Sequence, residues 1–315
     1  MTAVHTLPKP GASAIVAHYV RRKGGYMWRH RIFYLLILPF AALTLVMGVW
    51  PILLGVLVSF TDTYTALTES PTYVGLKNYI DIFQDDLFLS SLWRTILFTG
   101  LSVVFNVAAA LGLALILSAH TLRFVAPVFA LALFLPVVTP EAATFIVWKW
   151  MFSLDFGAVN ALLSAVGLPD FAGTTRPLPA FLTLLFVEWW HNVGFYTIVF
   201  LTNLKLLDPS LDEAARMDGA GKLRRIRSIW IPQLRPAIAI NTIYAVIQFL
   251  KTFAAVVIIT NGGPNFATNF VSFYAYAKFN LADYGQALAM ATVLFGIVIA
   301  LAVIVYRYNE KADYR

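Results

Sequence analysis

The 315-residue chain contains no cysteine, and Asp, Glu, Lys and Arg together make up only 12% of it. Without cysteine there is no disulfide framework, no thiolate metal site and no thiol nucleophile, and the redox compartment is left open. The charged fraction is about half of the ~25% usual in soluble domains, whereas 60% of residues are hydrophobic and the mean hydropathy is +0.75. Also missing is the period-2 alternation of a transmembrane barrel. No long linker, low-complexity tract or obvious internal repeat divides the chain, so one membrane domain is the simplest organisation. No His–Glu–His spacing occurs, and Glu141 and Glu188 fall on different apolar segments. Neither a metal, a cofactor nor a membrane-embedded hydrolase centre is therefore expected.

What is present is a series of apolar runs long enough to cross a bilayer, which needs about 20 such residues. They cover about 32–60, 95–119, 124–148, 180–204, 237–260 and 285–306. The expected fold is an all-α membrane protein of six transmembrane helices spanning 32–306. Residues 1–31, polar and basic without an apolar signal core, read as a cytoplasmic tail, and 307–315 as a second one. Lys and Arg segregate by side: 17 lie on the side of the N-terminus and five on the other. By the positive-inside rule both termini are cytoplasmic. That asymmetry accounts for the net charge of +7, and no nucleic-acid partner is needed to explain it.

The outer loop 61–94 is too long for a turn and is expected to hold a short surface helix, with Tyr64, Tyr73, Tyr79 and Phe83 at the interface. The second outer loop, 149–179, alternates turn formers with a short apolar piece, 159–166. Trp28, Trp148 and Trp150 read as interface anchors.

Between the fourth and fifth runs lies a charged island, DEAARMDGAGKLRRIRSIWIPQLRP (212–236). Asp208 or Ser210 offers a helix cap, with Asp212 and Glu213 in the first turn where acids favour the helix dipole. Gly219 and Gly221 break or bend the helix, and a second basic helix, 222–231, is expected to end at Pro232 and Pro236. Taken alone, the island reads equally well as a solvated loop whose arginines enforce topology. It is not a P-loop: Arg216 stands at the leading glycine position and Leu223 where Ser or Thr would hold magnesium.

Glu213-Ala214-Ala215, then Gly219 after three intervening residues, and Ile229-Trp230-Ile231-Pro232 after nine more, resemble the EAA motif of the membrane subunits of bacterial ABC importers. Ile231 replaces the usual Leu before the proline. Asp218-Gly219-Ala220 and the pair Pro232 and Pro236 are similar to the branch that imports sugars, polyols and glycerol phosphates. The resemblance extends to VGLKNY (74–79), LPVVTPEAATFIVWKWMF (135–152), FGAVNALLSAVGL (156–168), TNGGP (260–264) and Tyr284-Gly285-Gln286-Ala287.

The resemblance implies a permease subunit of an ATP-driven importer in the bacterial inner membrane, with ATP hydrolysed by a separate chain. Its partners would be two copies of an ABC ATPase subunit, a second permease subunit, of different sequence or with a second copy of this chain as the alternative, and an extracytoplasmic substrate-binding protein. The cytoplasmic coupling loop, about 205–236, would dock on the ATPase. Glu213 would pair with a basic residue there, Ala214, Ala215 and Gly219 would permit close packing, and Asp218, Ala220, Gly221 and Lys222–Arg225 would belong to the contact, closed by Pro232. The outer segments 75–83, 152–160 and 262–266 would receive the binding protein.

Polar groups inside spans are costly and point to a transport path. Asn241, Tyr244, Gln248 and Lys251 recur at helical spacing on the fifth span, as do Glu188, His191, Asn192 and Phe195 on the fourth. Glu188 and Lys251 reach similar depths, so they either pair or jointly line a hydrated cavity. A purely structural ion pair is the plain alternative, and His191 is equally explained as an interhelical hydrogen-bond partner. Glu141, after Pro140, either lines the path or satisfies backbone freed at the kink. An importer for peptide, phosphate or metal, and a secondary transporter, stay open as rival readings.

Overall fold

The computed structural model describes residues 31–62, 72–119 and 124–313, with side chains described for 32–62, 72–119 and 124–307. The expectations for the N-terminal tail, Trp28 and Tyr64 lie outside these residues. The chain forms two compact units, Met1–Leu57 and Val58–Arg315. The first is represented by α1 (Ile32–Val58), whose most apolar stretch buries none of its residues within the chain. Its turns widen to a π-helix over Thr44–Val49, immediately before Trp50-Pro51. A proline ring clashes with the carbonyl four residues back, and a π-turn is one way for a helix to continue past it.

The second unit begins with a two-residue antiparallel ladder, β1 (Thr61–Asp62) with β2 (Thr72–Tyr73). The expected surface helix follows as α2 (Lys77–Gln84). One face is tied to the chain: the buried Asn78 amide donates to the carbonyls of Ser59 and Thr61, both at 2.9 Å, and the Tyr79 hydroxyl bonds Ser59 Oγ at 2.6 Å, while Ile80 and Phe83 on the other side are exposed. Asp85 caps the next helix by accepting from Leu87 N at 2.8 Å. That helix, α3 (Asp86–Leu117), is 32 residues long and starts nine residues before the apolar run does. The cap residue, not hydropathy, sets where it begins.

The third expected span is broken. α4 (Ala126–Val138) and α5 (Glu141–Met151) meet at 98°. Thr139 precedes Pro140 and is therefore forced out of the α region, with ψ 145°. Its hydroxyl repays one freed acceptor by donating to Pro136 O at 2.6 Å. The short apolar piece forms α6 (Ala158–Ala165). The fourth expected span is α7 (Pro177–Lys205).

α8 (Pro209–Met217) and α9 (Lys222–Arg225) come from the charged island. Pro232 does not end the second helix, as proline chemistry alone led us to expect. The chain continues through a π-helical stretch, Ile226–Trp230, and α10 (Ile231–Gln233), with Pro232 in its first turn. Only Leu234 then separates it from α11 (Arg235–Leu250). The fifth expected span is also interrupted. α11 stops at Lys251, and a second short π-helical piece, Val256–Thr260, carries the chain on. α12 (Val271–Asn280) and α13 (Tyr284–Asp313) complete the unit. Among the described residues four helices are long and apolar enough to cross a membrane, or five if the α4–α5 pair is one span. The six continuous spans of the sequence reading are thus not reproduced as such, because hydropathy does not register breaks at Pro140 and Lys251.

The core lies where α3, α7 and α11 pack together, around Phe98, Leu184, Tyr196, Phe200 and Phe249. Polar ties secure the segment before α12 to the start of α3: Asn269 Nδ2 donates to Ser91 Oγ at 2.8 Å and Val271 N to Thr95 Oγ1 at 3.0 Å. Two sequence motifs 200 residues apart meet at Gly285, where an added Cβ would lie 2.4 Å from Thr61 O and 2.7 Å from Asn78 Nδ2. Because one obstacle is backbone, Gly285→Val is expected to cost roughly 1–3 kcal/mol. Thermal unfolding in detergent should show a midpoint about 5 °C lower; an unchanged midpoint would contradict this packing.

Candidate functional site: a cavity in the bundle and an exposed two-helix element

Two places in this unit combine charge with unusual geometry. The first is the α8–α9 element. Asp208 caps α8 by accepting from Ser210 N at 2.9 Å. That backbone bond, then the Ser210 hydroxyl, holds the Asp208 carboxyl below the usual range. α8 ends in a reciprocal pair, Gly219 N to Arg216 O at 3.0 Å and Ala220 N to Ala215 O at 2.9 Å, with Gly219 at φ +77°. This is the Schellman arrangement, which places a left-handed residue just past the helix end. A Cβ at Gly219 would meet nothing within 4 Å in this chain, so its backbone angle is what calls for glycine. Gly221 is the extended residue that begins α9. The spacing from Ala215 to Gly219 is therefore the spacing of a helix stop.

Glu213 and Ala214 are exposed on α8 while Asp212 and Ala215 are half-buried. Exposed apolar side chains sit among these charges: Met217 is 88% and Leu223 70% accessible. Across the element, Asp212 accepts from Arg225 Nη1 through one oxygen and from Trp230 Nε1, at 2.9 Å, through the other. Sequence reasoning had placed Asp212 only as a first-turn acid. Its cross-helix role had no local signal, since the partners are 13 and 18 residues away.

The second place is a cavity of about 250 Å³ lined by Glu141, Glu188, Gln248, Lys251, Thr252, Phe253 and Ala254. Glu188 and Lys251 share it, but among the described residues no nitrogen–oxygen approach within 4.0 Å joins Lys251 to either acid. Glu141 reaches the wall as the first residue of α5, directly after the α4–α5 break. Lys251 is there because α11 stops at it, and that stop adds Thr252–Ala254, which helical spacing did not bring out. Asn192 does not face the cavity as lining: its amide donates to Glu188 O at 2.9 Å and to Glu188 Oε2 at 3.0 Å, fixing the carboxylate's rotamer.

The other expected path residues lie apart from this wall. Phe195 and Tyr244 stack on each other with ring centroids 4.8 Å apart. His191 is buried edge-on to Phe145, 5.5 Å between centroids, and its Nδ1 has no partner among the described residues. Asn241 is 1% accessible, and neither amide atom has a partner among the described residues. Trp148 joins a ring cluster with Phe152, Phe186 and Trp190 instead of facing outward, whereas Trp150 is 65% accessible.

No family model matches the chain. Curated proteins do. The trehalose/maltose transport system permease of Thermococcus litoralis is 30% identical over 271 residues, covering 86% of this chain and 91% of its own length. The diacetylchitobiose uptake system permease of Streptomyces coelicolor is 32% identical over 288 residues, covering 89% of this chain and 87% of its own. Among solved structures, a chain of a bacterial alginate ABC transporter, in complex with an alginate pentasaccharide-bound periplasmic protein, superposes with a TM-score of 0.76. It is 21% identical and covers 89% of this chain and 94% of that one, a likeness of fold. The chain belongs to the membrane-spanning permease subunits of ABC importers, in the family of sugar transport permeases.

Proposed function

We propose that this chain is one of two permease subunits of an ATP-driven importer for a sugar, or a related polyol or sugar phosphate, delivered by an external binding protein. One observation carries the reading: the α8–α9 element projects Glu213, Ala214, Met217 and Leu223 and continues through the helical stretch 226–233 and Leu234 into α11, which ends at the cavity. An ATPase that gripped this surface would move the cavity wall. A short capped helix docked in a partner acts as a lever, which a solvated loop cannot do.

In this reading the element is cytoplasmic, as are both termini, and the ATPase, present twice, contacts Glu213, Ala214, Ala215, Asp218, Gly219, Ala220 and Gly221. Pro232 shapes the second helix rather than touching the partner. The second permease is a different chain and completes the path. α4–α5 crosses as one bent span, and α11 with 254–260 as another, so that six crossings result. Glu188, Gln248 and Lys251 contact substrate, with His191, Asn192, Phe195, Asn241 and Tyr244 behind them or deeper along the path. The exposed rings Phe83, Phe156 and Phe266 would receive the binding protein; a chain of similar fold belongs to a transporter solved in complex with a periplasmic protein.

The test is purification of the tagged chain from its native membrane, followed by reconstitution in liposomes. An ATP-hydrolysing subunit should come with it, and sugar uptake should require ATP on the side of the element. Uptake driven by an ion gradient in the absence of ATP would overturn the proposal.

A further inference from the structure

We infer that Asp212 is a positioning residue for energy coupling: its carboxylate locks the two helices of the exposed element into one rigid lever. The inference rests on the coupling reading above and goes beyond it by naming what makes the element stiff. α8 and α9 are joined by only four residues, Asp218 to Gly221, two of them glycine. Such a link bends easily, and a partner pulling on Glu213 and Ala214 would swing α8 without moving α11. The cross-tie removes that freedom. One oxygen of Asp212 takes Arg225 Nη1 and the other takes Trp230 Nε1. Charge-assisted hydrogen bonds to both oxygens fix orientation as well as distance.

The geometry of the partners depends on Pro232. In an α-helix, residues five apart diverge by about 140° at 3.6 residues per turn, so Arg225 and Trp230 would not face one carboxylate. Between them the helix is π-wound: Ile231 N bonds Ile226 O, five residues back. That wider turn brings residues five apart back toward one face. The π-wound stretch in α1 likewise ends two residues before a proline, Pro51, whereas the third one, Val256–Thr260, is followed by Asn261 and two glycines. In this element the motif's proline acts at a distance, by setting the pitch that lets Trp230 reach Asp212.

The lock also sits at the root of the lever. Asp212 and Trp230 share a cavity of about 260 Å³ with Ser118 beyond the end of α3, Lys205 and Leu207 at the end of α7, and Gln233. Asp212 faces this root while its neighbours Glu213 and Ala214 face outward. A push received on the outer face is thus handed through one carboxylate to Trp230, and from there through buried Leu234 to α11, since Ile238 N bonds Leu234 O at 2.8 Å.

The experiment uses the complete transporter with its ATPase subunits and binding protein in liposomes, and reads assembly, unstimulated ATP hydrolysis, and sugar moved per ATP hydrolysed. Asp212→Ala is expected to leave assembly and unstimulated hydrolysis within about twofold while sugar moved per ATP falls about tenfold, the scale of one charged hydrogen bond. Asp212→Asn and Trp230→Phe should each lose about threefold, and the two combined should be no worse than Asp212→Asn alone, as expected for one shared contact. Sugar per ATP at the original value in Asp212→Ala would overturn the inference. So would loss of assembly in Asp212→Ala together with full coupling in Trp230→Phe. Ala214→Trp in parallel separates the two levels. If it too is silent, the coupling reading itself is wrong; if it alone disrupts hydrolysis, the lever exists without the lock.

Discussion

Ala214→Trp is expected to drop binding-protein-stimulated ATP hydrolysis to the unstimulated rate and to lower uptake about 100-fold. Ala214 lies on the exposed face of α8 beside Glu213, so an indole there occupies the space a docked partner needs. Loss of a central interface contact costs on the order of 3 kcal/mol, which is about 100-fold in affinity. Position 214 is helical and open, so the chain itself keeps its fold, and its thermal midpoint in detergent should not move. Gly219→Ala makes a useful contrast, because it acts inside this chain. A side chain at φ +77° costs about 1–2 kcal/mol and undoes the cap that stops α8, so a smaller loss of coupling is expected without any new bulk. Measurement of ATP hydrolysis and co-purified ATPase for both variants checks the pair. Full stimulation in Ala214→Trp would show that no partner approaches this face.

Lys251→Met is expected to lower uptake by about 10- to 100-fold while leaving assembly and ATPase co-purification intact. The ammonium stands where α11 ends, on the wall of a cavity that also carries Glu141, Glu188 and Gln248. A cavity of about 250 Å³ is large enough for several waters, so a substrate entering it would replace water around these polar groups. Hydroxyls of a sugar bond well to such a mixture of one cation, two acids and an amide, and each hydrogen bond to a charged group contributes about 1.5–3 kcal/mol. Glu188→Gln isolates charge from shape, since an amide oxygen can still accept from Asn192 as Glu188 Oε2 does at 3.0 Å. It should fall less than Lys251→Met. Initial uptake rates across substrate concentrations decide the matter; both variants at the original rate would make this cavity a packing feature and not part of the path.

Much of this was legible in the residues. The absence of charge over runs of about 20 residues points to membrane helices whatever their neighbours do, because the cost of burying charge in lipid is local to each residue. The cap Asp208 and the helix stop at Gly219 are also local, each within a few residues of the groups it satisfies, whereas the cap at Asp85 was not read from the sequence. Glu213-Ala214-Ala215 and Gly219 carried the family resemblance that identity across most of the chain supports. Less legible were the helix breaks. Pro136 lies inside α4 without bending the chain through a right angle, while the next proline, Pro140, does so. What a proline does depends on whether neighbouring packing rewards a continued or a broken helix.

Spacing alone grouped eight polar and aromatic residues into one path, yet only Glu188, Gln248 and Lys251 share the cavity. Helical periodicity assigns a face but not what that face meets. By itself, then, the sequence determined the class of fold, the start of the island's first helix at Asp208 and its stop at Gly219, and the membership of the chain in its family. These depend on hydropathy and on contacts within one or two turns. The tertiary structure alone decided that Glu141 joins Glu188 at the cavity, that Gly285 is pressed against Thr61 and Asn78, and that Asp212 holds Arg225 and Trp230. Each is a meeting of residues from different helices or turns, and its energy exists only once those elements have packed.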